Sequence, residues 1–143
     1  MIPSSQVALL LTRIGFALFL LVWGLNKILN PTGTAAIFSG FYGVDGLAPM
    51  LSTVLGTIQI AISLAIFVAL WKTISYGLGV AIHGVSTVST APHLLLPLAE
   101  GSNLLFMAGL PVLLSAVGLF IARSEDRILS LDEMLERRAL REA

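Results

Sequence analysis

His83 is the side chain in this sequence best suited to chemistry. It stands in an apolar stretch with Tyr76, Gly79, Ser86, Thr87 and Thr90, which recur at helical spacing and share one face. A neutral imidazole in such a setting is a proton carrier, a metal ligand or a hydrogen-bond partner for a quinone. Thr87 follows it by four residues and so neighbours it on a helix. Ser52, Gly56, Gln59 and Ser63 form a matching stripe in the preceding apolar stretch. Counting about 1.5 Å per residue from the ends of the two stretches places Gln59 and His83 at nearly the same depth. The pattern predicts a small polar site with His83, Gln59, Thr87 and Tyr76 as ligand-binding residues. Stripes of Ser, Thr and Gly are also how helices pack in membranes, so a packing reading stands beside the ligand reading.

Asn26, Lys27, His93 and Asn103 form a second polar cluster at the opposite end from most of the charge, with Asp45 and Glu100 nearby. Lys27 either snorkels to the headgroups or pairs with Asp45 or Glu100 beneath the loop that follows it. Arg13 lies well inside the first apolar stretch and calls for a partner: Tyr76, a backbone carbonyl or an anionic headgroup. Other chemistries are disfavoured. The chain has no cysteine, so it has no thiolate metal site and no covalent haem. His83 and His93 are about 15 Å apart on a continuous helix, too far to clamp one iron. No HExxH, phosphate-binding loop or EF-hand pattern is present, and no metal site is expected. Eight basic and eight acidic residues cancel, giving no basic excess that would suggest nucleic acid.

The elements that position these residues follow from composition. Of 143 residues, 57% are hydrophobic and 11% charged, with a mean hydropathy of +0.96. A soluble domain this small could not hide so much apolar surface, so a lipid bilayer is the expected solvent. Four stretches approach the roughly 20 residues that a crossing needs: residues 7–29, 49–70, 73–96 and 102–122, with a kink or an end expected near Pro92. The first lacks the basic leader and small-residue cleavage site of a secretory signal and reads as a retained span. Lys72, Arg123, Arg127, Arg137, Arg138 and Arg141 place both termini on the cytoplasmic side of a bacterial inner membrane. Residues 32–42 read as a short interfacial helix capping the outer mouth. After Arg123 the composition turns soluble. Ser130 and Glu133 have the spacing of a capping box, and Ile128, Leu131, Met134 and Leu135 form one apolar side. The expected fold is all-α: a four-helix transmembrane bundle over residues 1–123 and a cytoplasmic amphipathic tail helix over residues 124–143.

Residues Arg13 to Lys27 (RIGFALFLLVWGLNK), Tyr76 to Thr87 (YGLGVAIHGVST) and Asn103 to Ala116 (NLLFMAGLPVLLSA) resemble the DoxX-like family of small four-helix membrane proteins over roughly residues 7–122. The resemblance implies a four-helix membrane fold, proximity to quinone chemistry and partnership with other proteins, and it transfers no catalytic residue.

Two functions follow as expectations. One is a membrane subunit associated with redox chemistry that binds a quinone or similar apolar ligand. The other is a non-enzymatic structural or assembly subunit, working with other membrane subunits or with copies of itself. A solute or ion conduit is disfavoured by the scarcity of carboxylates within the apolar stretches.

Overall fold

The computed structural model describes residues 3–142; residues 1, 2 and 143, at the outer ends of the two expected units, lie outside it. All the regular secondary structure among the described residues is helical. Its α-helices are α1 (Ser4–Leu29), α2 (Pro31–Ile37), α3 (Pro49–Phe67), α4 (Lys72–Ser89), α5 (Ala91–Leu95), α6 (Gly109–Ile121) and α7 (Leu131–Glu142). A π-helical turn, Phe38–Tyr42, continues α2, and a 3-10 turn, Leu104–Ala108, leads into α6.

Each boundary has a local cause. Asn30 ends α1 and caps α2, its side chain accepting the Gly33 N–H, with Pro31 in the first turn. The segment after α1, too apolar for a free loop, is thus helical as far as Gly43, which closes it in the left-handed conformation. Pro49 opens α3. α4 stops at Ser89, before Pro92, which takes a first-turn position in the separate α5. Residues 73–96 are therefore two helices rather than one. Asn103 caps the turn into α6 by accepting the Leu105 N–H.

Among the described residues three helical stretches are long and apolar enough to cross a membrane: Ser4–Leu29, Pro49–Phe67 and Leu104–Ile121. α4 has 18 residues. It falls outside that set because Lys72 and a face of Ser, Thr, Tyr and His dilute its apolar character.

α1 packs chiefly on α3, and α4 on α6; α3 also meets α4, and α1 meets α6. The α1–α3 seam is close because two glycines face each other across it. A Cβ on Gly56 would lie 2.7 Å from the Gly24 carbonyl oxygen, and one on Gly24 would lie 2.9 Å from Ile60. The polar stripe of α3 stitches this seam. Ser63 donates to the Ala17 carbonyl at 2.6 Å, Gln59 to Leu20 at 2.8 Å and Ser52 to Lys27 at 2.7 Å. Each bond places a hydroxyl or amide that would otherwise be stranded in an apolar seam onto a backbone acceptor. Gly79 gives α4 the same close approach: a Cβ there would meet Ile66 and Phe16 at 2.7 and 2.8 Å. Around it Phe16, Ala17, Leu20, Ile66, Tyr76, Ala116 and Leu119 form the buried apolar core.

The segment after α6 packs against the bundle. Asp126 and Ser130 are fully buried, and the chain turns through Leu129 at φ 49° to run beneath the α3–α4 junction. There the N–H groups of Leu131 and Asp132 donate to the carbonyls of Val68 and Ala69 at 2.9 and 3.2 Å. The Asp132 carboxylate accepts the N–H groups of Trp71 and Lys72 at 2.7 and 2.9 Å, capping α4 from another part of the chain. Ala69 and Trp71 hold left-handed backbone at φ 51° and 48°. Such conformations cost about 1–2 kcal/mol per residue, and these cross-chain bonds oppose that cost. The capping box is only half formed. Ser130 accepts the Glu133 N–H, but the Glu133 carboxylate reaches out to Lys72 at 3.3 Å.

Candidate functional site

Away from the tight crossing at Gly79, the helices part around a cavity of about 880 Å³. Its walls come from the second half of α1, the middle of α3, the last three turns of α4, the turn into α6, and the α2 segment laid across one end. Most of the lining is apolar, with the aromatic rings of Phe19, Trp23, Phe38, Phe41, Tyr42 and Phe106 prominent. A few polar groups interrupt it, among them Asn26, Lys27, Gln59, His83 and Thr87. A largely apolar cavity with a few placed polar groups is the usual form of a small-molecule site.

His83 is held in place from two directions. Its Nε2 lies 2.9 Å from the carbonyl oxygen of Gly109, and the edge of Phe19 packs against its ring at 4.8 Å between centroids. A carbonyl can only accept, so Nε2 carries the proton and Nδ1 is left as an acceptor. Gly109 faces this side of α4: a Cβ there would sit at ordinary contact distance, 3.9 Å from His83 Cε1 and 3.7 Å from Thr87 Oγ1. The Thr87 hydroxyl donates to the His83 carbonyl at 2.8 Å. It thereby satisfies its own hydrogen within α4 and keeps its lone pairs.

Gln59 and Lys27 form the opposite polar wall. The Gln59 amide nitrogen is committed to the Leu20 carbonyl, which fixes the amide so that Oε1 turns to Lys27. Lys27 Nζ donates to that oxygen at 3.0 Å. The alternative of an ion pair with Asp45 or Glu100 is absent among the described residues: Asp45 accepts from the Ser39 hydroxyl, and Glu100 has no ion-pair contact with Lys27.

Of the four expected ligand-binding residues, His83, Gln59 and Thr87 line this cavity and Tyr76 does not. Tyr76 lies two turns before His83 in α4, where its hydroxyl donates to Asp126 Oδ2 at 2.7 Å. Of the second polar cluster, Asn26 and Lys27 line the cavity, whereas His93 and Asn103 stand outside it. His93 stacks on Phe106 with 4.5 Å between ring centroids and lies 3.4 Å from the Ser102 hydroxyl. It supports the wall from behind.

Arg13 belongs to a separate polar knot. Its Nη1 donates to Asp126 Oδ1 at 2.8 Å, and Nη2 donates to the carbonyls of Ile128 and Leu129 at 2.9 and 3.3 Å. Expected to meet Tyr76, a carbonyl or a headgroup, Arg13 meets two backbone carbonyls and a carboxylate, and Asp126 joins it to Tyr76. With Arg13 1% and Asp126 0% exposed, both charges are desolvated and depend on each other. Asp126 is the residue that sequence reasoning missed. The available signal was an unmatched arginine one and a half turns into the first span and an acidic pair, Glu125 and Asp126, just past the end of the last one.

Among the described residues no group of three or more histidine, cysteine, aspartate or glutamate side chains is placed to hold a metal ion. No family model matches the chain, and no curated protein or solved structure is significantly similar to it.

Proposed function

We propose that this chain is a four-span helical membrane protein of DoxX-like type, with both termini on the cytoplasmic side of a bacterial inner membrane. In this reading it holds a quinone or an amphiphile of similar build in the central cavity, as a subunit associated with redox chemistry. The observation that carries the reading is the 880 Å³ cavity, apolar and aromatic along its length, with Lys27 and Gln59 on one wall and His83 on another. A bound quinone would supply two-electron, two-proton exchange. The chain's own part is to bind and exclude water. Lys27 donates to a ring oxygen, His83 Nδ1 accepts from a hydroxyl, and the aromatic walls enclose the tail.

The amphipathic burial of α4 supports the fourth span. Its buried side carries Ser75, Tyr76, His83 and Thr87, while Ile74, Leu78, Val85 and Val88 are exposed where lipid would lie. The orientation is supported by Lys72 and Arg123, Arg127, Arg137, Arg138 and Arg141, all at the α3–α4 junction or on the segment docked there.

The test is purification in mild detergent, followed by an optical spectrum and mass spectrometry of everything bound. A stoichiometric quinone or related amphiphile is expected. A ligand-free protein that also fails to take up added decylubiquinone would overturn the reading.

One observation favours the alternative, a structural or assembly subunit. Met134 and Leu135 on α7 are both more than half exposed, an apolar side that suits a partner or the membrane surface. Met134→Ser with Leu135→Ser leaves Asp132 and Glu133 in place; loss of a co-purifying subunit in that double variant would support docking through α7.

A further inference from the structure

We infer that the cavity selects ligands with an anionic head, which pairs with Lys27. The inference rests on reading the cavity as an amphiphile site and names the head that the site recognises.

The first argument is charge balance. Lys27 is the one ionic side chain in the lining, and no carboxylate faces it there. Every ion pair among the described residues involves other groups: Arg13 with Asp126, Lys72 and Arg127 with Glu133, and Arg138 with Glu142. The protein therefore neutralises its buried arginine internally and leaves the cavity lysine with a neutral partner. A partly buried ammonium against an apolar lining gains from a counter-charge, and a ligand carboxylate or phosphate supplies one.

The second argument is direction. A snorkelling lysine in the last turn of α1 would extend past Asn30 toward the end of the helix. Lys27 does the opposite. Its ammonium is drawn to Gln59, whose own amide is bonded to Leu20, two turns back along α1. At its base the side chain is braced by α3, where the missing Cβ of Gly56 would lie 3.0 Å from Lys27 Cβ, and Ser52 holds the Lys27 carbonyl. Backbone, stem and head are each fixed by a different residue of α3, so the charge is directed inward. An ammonium has three N–H groups, and Gln59 takes one. The remaining two suit the two oxygens of a carboxylate or two oxygens of a phosphate, while the cavity walls accept the chain. Two sources share this chemistry: a free long-chain acid and an anionic bilayer lipid.

The test uses Trp23, which lines the cavity, as reporter. The full chain carries Trp71→Phe so that Trp23 is the sole indole. Quenching is titrated in neutral detergent near neutral pH with three probes: a brominated fatty acid, the alcohol of the same brominated chain, and decylubiquinone. The alcohol measures simple partitioning. The carboxylate is expected to bind at least about tenfold more tightly than the alcohol, as a charge-assisted contact of about 1.4 kcal/mol or more requires. Lys27→Met, which keeps the apolar stem, is expected to abolish that preference, so that acid and alcohol bind alike. Equal binding of acid and alcohol, or a preference that survives Lys27→Met, overturns the anionic head. Decylubiquinone binding alongside that result would keep the amphiphile reading, whereas no saturable quenching by any probe overturns both. Nanodiscs with brominated phosphatidylglycerol or phosphatidylcholine separate the sources. Selectivity for phosphatidylglycerol assigns the head to the bilayer, and its absence, with the fatty-acid preference intact, assigns it to a free acid.

Discussion

Arg13 and Asp126, 113 residues apart in sequence, meet at 2.8 Å with almost no surface exposed on either. The contact joins the first apolar helix to the segment beyond the last, and Tyr76 adds α4 to the same carboxylate. Removing one buried partner strands the other charge. Asp126→Ala is expected to destabilise the protein by about 3–5 kcal/mol. Replacing both charges with apolar residues, as in Arg13→Met with Asp126→Leu, should recover most of that loss. Unfolding in mixed micelles measures both, and a double variant as unstable as the single one would contradict the pairwise account.

Two glycines on the α1–α3 pair should respond in opposite ways to alanine. Gly15 has open space where a Cβ would go, whereas Gly56 faces the Gly24 carbonyl oxygen at 2.7 Å. Gly15→Ala is expected to stabilise by about 0.5–1 kcal/mol through helix propensity. Gly56→Ala should destabilise by about 1–3 kcal/mol, because the helices must separate. The same unfolding assay reads both changes, and equal effects would mean that the seam is looser than described.

Asp132 caps α4 across the chain. Asp132→Ala should cost about 0.5–2 kcal/mol, the range for loss of a helix cap, and should expose residues 131–142 to limited proteolysis. Glu142→Ala removes only the exposed pair with Arg138 and is expected to change stability by less than about 0.5 kcal/mol. Equal protease sensitivity in the two variants would place the anchor of the tail elsewhere.

His83→Phe keeps a flat ring in place and deletes the Nδ1 acceptor. A hydroxyl-bearing ligand such as a short-chain quinol is expected to bind about tenfold more weakly to this variant, and an analogue without hydroxyls should be little affected. Calorimetry on the two ligands distinguishes them. Equal losses would reduce His83 to a packing residue.

Helical character was legible because the apolar stretches are long and their polar residues recur at helical spacing. The face carrying Ser52, Gln59 and Ser63 could be read from that spacing, but its use could not. All three side chains donate to carbonyls of α1, so much of the stripe is a packing seam, and only the Gln59 amide oxygen is left for the cavity. Periodicity places residues on a face without saying which neighbour that face meets. For this reason Tyr76 was grouped with His83, although the packing around Gly79 divides the face of α4 between the cavity and the Arg13 knot. Asp126 was hidden for a related reason. A charged segment after an apolar helix ordinarily lies in water, and only the unmet need of Arg13 argued against that here.

The Arg13 knot also orders events in time. Arg13 is made first, and its carboxylate partner follows 113 residues later, an interval of roughly 5–25 s at ordinary elongation rates. Throughout that interval the guanidinium lacks its native counter-ion, and the carbonyls of Val68 and Ala69, once made, await the N–H groups of Leu131 and Asp132. A nascent chain halted before residue 126 is therefore an unfinished assembly with a free positive charge, the kind of feature by which a membrane quality-control protease can tell an incomplete subunit from a finished one.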